Sequence, residues 1–166
     1  MANIVGESAK LVKVSLHYFE KLFPYVDTAI KQSKEERKAA EEIFRKTVAE
    51  IYGNLSILGK FRLDIFKNYT INSPEIREVV NKDLKTEYTE QFYKYTKKFK
   101  RLKKKDKKNF DKKLELALSK INEMRTYAAM STKKIKGLKK FRPAVRLKNI
   151  QKVYDDMRKI LASANR

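Results

Sequence analysis

The sequence predicts an all-α protein, an elongated antiparallel helical bundle or coiled coil of three to four long helices. Three observations carry that reading. Apolar residues recur at alternating steps of three and four along most of the chain, and no segment sustains two-residue alternation. Only four Gly and three Pro occur in 166 residues, too few for a turn-rich β fold. With 42% hydrophobic residues the chain can bury one core, so residues 1–166 are expected to form a single domain.

The first helix is expected over 9–66, on a seam of Leu16, Phe19, Phe23, Val26 and Ile30. Across the weak positions Ser33 and Arg37 this seam continues with Ala40, Phe44, Val48, Ile51, Leu55 and Leu58. Pro24 removes an amide donor and crowds the preceding turn, which predicts a kink or short break near Phe23. Gly53-Asn54 is a second weak point. Ser73-Pro74-Glu75 combines a hydroxyl cap, a proline at the first helical position and an acid in the first turn. It opens a second helix, 74–141, carrying Val80, Leu84, Tyr88, Phe92, Tyr95, Phe99 and Leu102.

From Lys103 to Asn109 the apolar period lapses, and it resumes at Phe110, Leu114, Leu118, Ile121 and Met124. The lapse is either a turn between two antiparallel helices or a solvated stretch of one helix about 100 Å long. The absence of Gly and Pro from it favours the continuous helix. Gly137 and Arg142-Pro143 end the element. A last helix, 144–163, carries Leu147, Ile150, Tyr154, Met157 and Leu161.

Charge is distributed very unevenly. Residues 94–148 hold 22 Lys and Arg against four acids, so 18 of the 21 net positive charges lie in 55 residues. Solubility needs far less, and a one-sided field points to a polyanionic partner. A first cluster, from Lys94 to Lys113, sets 12 cations against two acids. Pairing along a helix cannot neutralise it. A second cluster, Lys133, Lys134, Lys136, Lys139, Lys140, Arg142, Arg146 and Lys148, contains no acid. Lys outnumbers Arg in both, which favours diffuse contact with phosphates over bidentate reading of bases.

Catalytic chemistry has little to work with. The chain has no Cys and a single histidine, His17, so thiolate sites, His-based metal sites and Ser-His triads are not expected. Glu35-Glu36 and Glu41-Glu42 sit on a Lys-rich helix, where salt bridging is the plainer role. No glycine-rich phosphate loop is present. The expectation is a non-enzyme with no catalytic residue, metal or cofactor. No apolar run is long enough to span a bilayer, and the first residues do not read as a secretory signal.

A long N-terminal helix with a proline kink, a capped second helix and a basic stretch far along it resemble the BAR superfamily of membrane-curvature modules, including its inverse-BAR branch. The resemblance covers roughly residues 9–141. It implies an elongated antiparallel dimer that presses cations onto anionic lipid, with Lys97, Lys98, Lys100, Arg101, Lys103, Lys104, Lys105, Lys107 and Lys108 facing the headgroups. The chain departs from that pattern after Pro143, where too few residues remain for a third long helix.

The resulting expectation is a homodimeric, cytoplasmic protein peripheral at anionic phospholipid membranes. It would bind through the residues just named and Lys133, Lys134, Lys136, Lys139, Lys140 and Arg142, sensing or shaping curvature as a dimer. The alternatives are a nucleic-acid-binding protein, for structured RNA, using the same patches, and a helical adaptor for an acidic protein surface.

Overall fold

The computed structural model describes residues 21–23, 30, 33–60, 69–98, 110–130 and 141–164, and the regular structure among them is entirely helical. Helix α1 spans Lys34–Lys60. Ser33 caps it, its Oγ accepting from the Glu36 amide at 3.2 Å, and Glu35 and Glu36 lie in the first turn where acids suit the helix dipole. Ala40, Phe44, Val48, Ile51, Leu55 and Leu58 are buried, as their spacing requires. Phe23 and Ser33 both stand outside regular helix. The break at Phe23 falls where Pro24 predicts one; the break at Ser33 is a correction, made because the serine side chain serves the start of α1. The remaining parts of 9–66 lie outside the described residues.

Helix α2 spans Pro74–Glu78, with proline at its first position, and runs directly into a π-helical turn, Val79–Asp83. The expected hydroxyl cap is not made. Ser73 Oγ instead accepts from the Thr70 amide at 3.0 Å, tightening the preceding turn. The π turn closes with the Leu84 amide donating to Val79 O at 2.9 Å, five residues back. Leu84 is then extended, with ψ 112°. Helix α3, Glu87–Lys97, begins afresh after Thr86.

A single helix through Leu84 and Tyr88 is therefore corrected to two. The physical reason is that side chains from other helices satisfy the peptide groups the break exposes. Helices α4, Phe110–Ala129, and α5, Pro143–Ala164, complete the order.

Four helices pack in a closed antiparallel ring. Phe44, Thr47 and Asn54 of α1 meet Phe92, Tyr88 and Lys85 respectively, so the chain runs oppositely at α3. Lys113 of α4 pairs with Asp156 of α5, and Glu123 with Arg146, so these two also run oppositely. Asn54 of α1 touches Tyr154 of α5 and closes the ring.

These pairings decide the alternative left open at 103–109. The Phe92 and Phe110 rings lie 5.2 and 6.3 Å from the same Phe44 ring, centroid to centroid. One straight helix would hold residues 92 and 110 about 27 Å apart. The chain therefore reverses between Lys98 and Phe110, and the continuous helix is overturned in favour of a hairpin. Phe23 joins the same cluster, edge-on to Phe92 at 4.8 Å, a favoured aromatic geometry. This aromatic knot fills the core where α3 ends and α4 begins.

A buried polar junction and two basic ends

Glu50 and Asn54 lie four residues apart on the buried side of α1, 8% and 1% exposed. Helical spacing puts both on one face, and that face meets the break between the π turn and α3. The Asn54 carboxamide donates from Nδ2 to Lys85 O at 2.7 Å and accepts at Oδ1 from the Lys85 amide at 2.9 Å. Nδ2 also donates to the Tyr154 hydroxyl at 2.9 Å. Burial pushes the Tyr154 phenol well above the ordinary tyrosine range.

Glu50 caps α3. Its Oε2 accepts from the Tyr88 amide at 3.0 Å, and its Oε1 from the Thr89 amide at 3.0 Å and the Thr89 hydroxyl at 2.5 Å. A carboxylate at the positive end of a helix satisfies donors that have no partner within it. Arg125 of α4 serves the other side of the break. Its Nε donates to Val80 O at 3.1 Å, Nη2 to Leu84 O at 2.7 Å and Nη1 to Thr86 Oγ1 at 2.9 Å. The junction thus contains an acid, an amide, a guanidinium and a phenol. Every one of them holds backbone or another of these groups, which makes it an architectural centre rather than a reactive one.

The cations are placed differently. Toward the end of α5, Lys159 and then Arg158 hydrogen-bond the Asp155 carboxyl and hold it below the usual carboxylate range. On α1, Glu41 pairs with Arg37 and Glu42 with Lys46, the role expected for these acids. At the end of the ring where α3 stops and α4 starts, Lys94, Lys97, Lys98 and Lys112 are exposed. Among the described residues none of the four meets a carboxylate. At the opposite end, Arg142 just before α5, Lys148 of α5 and Lys60 of α1 are exposed in the same way. That end is marked by Tyr127 stacked against Phe141, ring centroids 4.6 Å apart, and by Arg77 donating to Ala128 O.

Of the residues singled out for binding, Lys97, Lys98 and Arg142 are exposed. Lys100, Arg101, Lys103, Lys104, Lys105, Lys107 and Lys108 lie outside the described residues, as do Lys133, Lys134, Lys136, Lys139 and Lys140. The flanks of these segments place the first cluster's attachment points at one end of the ring and the second's at the other. Phe92 is buried and Tyr95 packs on the core, in keeping with their helical spacing.

Sequence reasoning missed Glu50, Asn54 and Arg125. Their signal was nonetheless present. Glu50 and Asn54 fall among Val48, Ile51, Leu55 and Leu58, where a solvated polar side chain is out of place, and Arg125 adjoins Met124 and Ala128 on the buried side of α4.

Among the described residues no helix is long and apolar enough to cross a membrane, and no group of three or more His, Asp or Glu is gathered as a metal site. No family model, curated protein or solved structure matches the chain.

Proposed function

We propose that this protein is a non-enzymatic module that attaches peripherally to anionic membranes through its Lys-rich ends, foremost the end joining α3 to α4. The observation that carries this reading is the exposure of Lys94, Lys97, Lys98 and Lys112 around that connection, none of them ion-paired among the described residues. The connection itself adds Lys100, Arg101, Lys103, Lys104, Lys105, Lys107 and Lys108. Each such cation is worth roughly 1 kcal/mol near an anionic leaflet. The same short segment carries Phe99 and Leu102. Apolar residues interspersed with lysines suit a lipid interface, where the rings and chains enter the headgroup layer and the ammonium groups stay with the phosphates. Curvature sensing is not part of the proposal, because the reversal before Phe110 removes the long arm on which it depends.

The test is sedimentation with phosphatidylserine and phosphoinositide liposomes, beside RNA and DNA gel shifts at physiological salt. Liposome binding that strengthens with headgroup charge, weakens with salt and falls steeply on replacing Lys103, Lys104, Lys105, Lys107 and Lys108 by Glu supports the reading. Tight binding to nucleic acid without liposome binding replaces it.

A further inference from the structure

Exposed cations gather at both ends of the ring, and this arrangement has a mechanical meaning. Lys94, Lys97 and Lys98 close α3 and Lys112 opens α4 at the aromatic end, which the contacts among Phe23, Phe44, Phe92 and Phe110 define. Lys60 ends α1 while Arg142 precedes α5 and Lys148 lies in its second turn at the other. The antiparallel pairs Lys113–Asp156 and Glu123–Arg146 fix α4 and α5 as the struts between. A helix of 20 residues such as α4 is about 30 Å long. That exceeds the Debye length of about 8 Å at physiological ionic strength several-fold, so the two sets of charges act independently. A flat anionic surface meeting one end head-on leaves the other end free.

Resting on the membrane reading above, we infer that one copy of this chain bridges two anionic bilayers, each end docking on a different leaflet. The occupant at both ends is the same, a phosphatidylserine-bearing surface, because both ends are Lys-dominated and complementary to it in charge. The helices between set the gap, at about 30 Å.

The experiment uses the full chain with vesicles of equal parts phosphatidylcholine and phosphatidylserine, scoring binding by sedimentation and bridging by co-localisation of two vesicle colours. One variant carries K94E, K97E, K98E and K112E, the other K60E, R142E and K148E, each checked for native helicity by circular dichroism. Bridging is expected to fall by about tenfold or more in either variant, while each still sediments with vesicles through its intact end. An equimolar mixture of the two variants stays unable to bridge, because neither chain has both ends. Restored bridging in the mixture overturns the single-chain inference in favour of a dimer. Binding by the unmodified chain without bridging overturns the inference alone, whereas absence of binding overturns the membrane reading beneath it.

Discussion

Asn54 and Lys85, 31 residues apart in sequence, are joined as two strands of a sheet would be: the side-chain amide of one meets the peptide of the other with a donor and an acceptor on each side, at 2.7 and 2.9 Å. The pair holds the break between the π turn and α3 against α1. Replacing Asn54 by Ala strips the part-buried Lys85 amide and carbonyl, and the buried Tyr154 hydroxyl, of the bonds Asn54 makes to them. A loss of about 2–4 kcal/mol is expected. Urea unfolding followed by circular dichroism measures it, and a loss below 1 kcal/mol, about the net worth of one ordinary hydrogen bond, would show that the break is held by other means.

Glu50 offers a graded test, because its two oxygens serve different donors. Glu50→Gln keeps one acceptor oxygen and is expected to cost about 1 kcal/mol, and Glu50→Ala about 2 kcal/mol or more, since it uncaps α3 entirely. Amide hydrogen exchange at Tyr88 and Thr89 should accelerate in the same order. Equal exchange in all three proteins would remove Glu50 from the cap.

Burial keeps the Tyr154 hydroxyl neutral to higher pH than in an unfolded chain, where tyrosine ionises near pH 10. Its contribution to stability is complete below about pH 10. It is lost as pH rises from there toward the folded-state value, since the unfolded chain then sheds a proton the folded one retains. Tyr154→Phe should cost about 1 kcal/mol at neutral pH and show a shallower alkaline decline than the parent. Parallel alkaline curves for the two proteins would contradict the assignment.

Gly53 lies inside α1, and a methyl group placed there meets nothing within 4 Å. Glycine in a helix costs about 0.5–1 kcal/mol relative to alanine through backbone freedom. Gly53→Ala is therefore expected to stabilise by that amount, read as a rise in the urea midpoint at constant slope. A destabilised variant would mean that the position is covered in solution.

The reversal before Phe110 is checked by distance. Spin labels on Lys94 and Lys112 would be about 27 Å apart along one helix. In the hairpin, where Phe92 and Phe110 share the Phe44 ring, the labels should report a clearly shorter separation.

Much of this architecture was legible in the sequence, and its failures are instructive. Phe44, Val48, Ile51, Leu55 and Leu58 are inward-facing because a three-four seam has only one way to be buried. Leu84 is also buried, as its place on the second seam implied, but it is extended rather than helical. Periodicity records which residues are apolar, not whether the backbone between them stays wound. The fate of residues 103–109 depended on Phe92 and Phe110 meeting Phe44, a contact between distant positions that local propensity cannot see. The cation clusters were plain in composition. Their separation to opposite ends followed only once the helix directions were known.

The π turn at Val79–Asp83 accommodates one residue more than an α-helical turn would hold. Removing a single residue from it would let α2 continue in ordinary winding and rotate everything after it by about 100° around the helix axis. Lys85 would swing away from Asn54, and Val80 O and Leu84 O would leave Arg125. The chain thus tolerates substitution in this turn far better than deletion: its length, more than its side chains, keeps α3 in phase with α1 and α4.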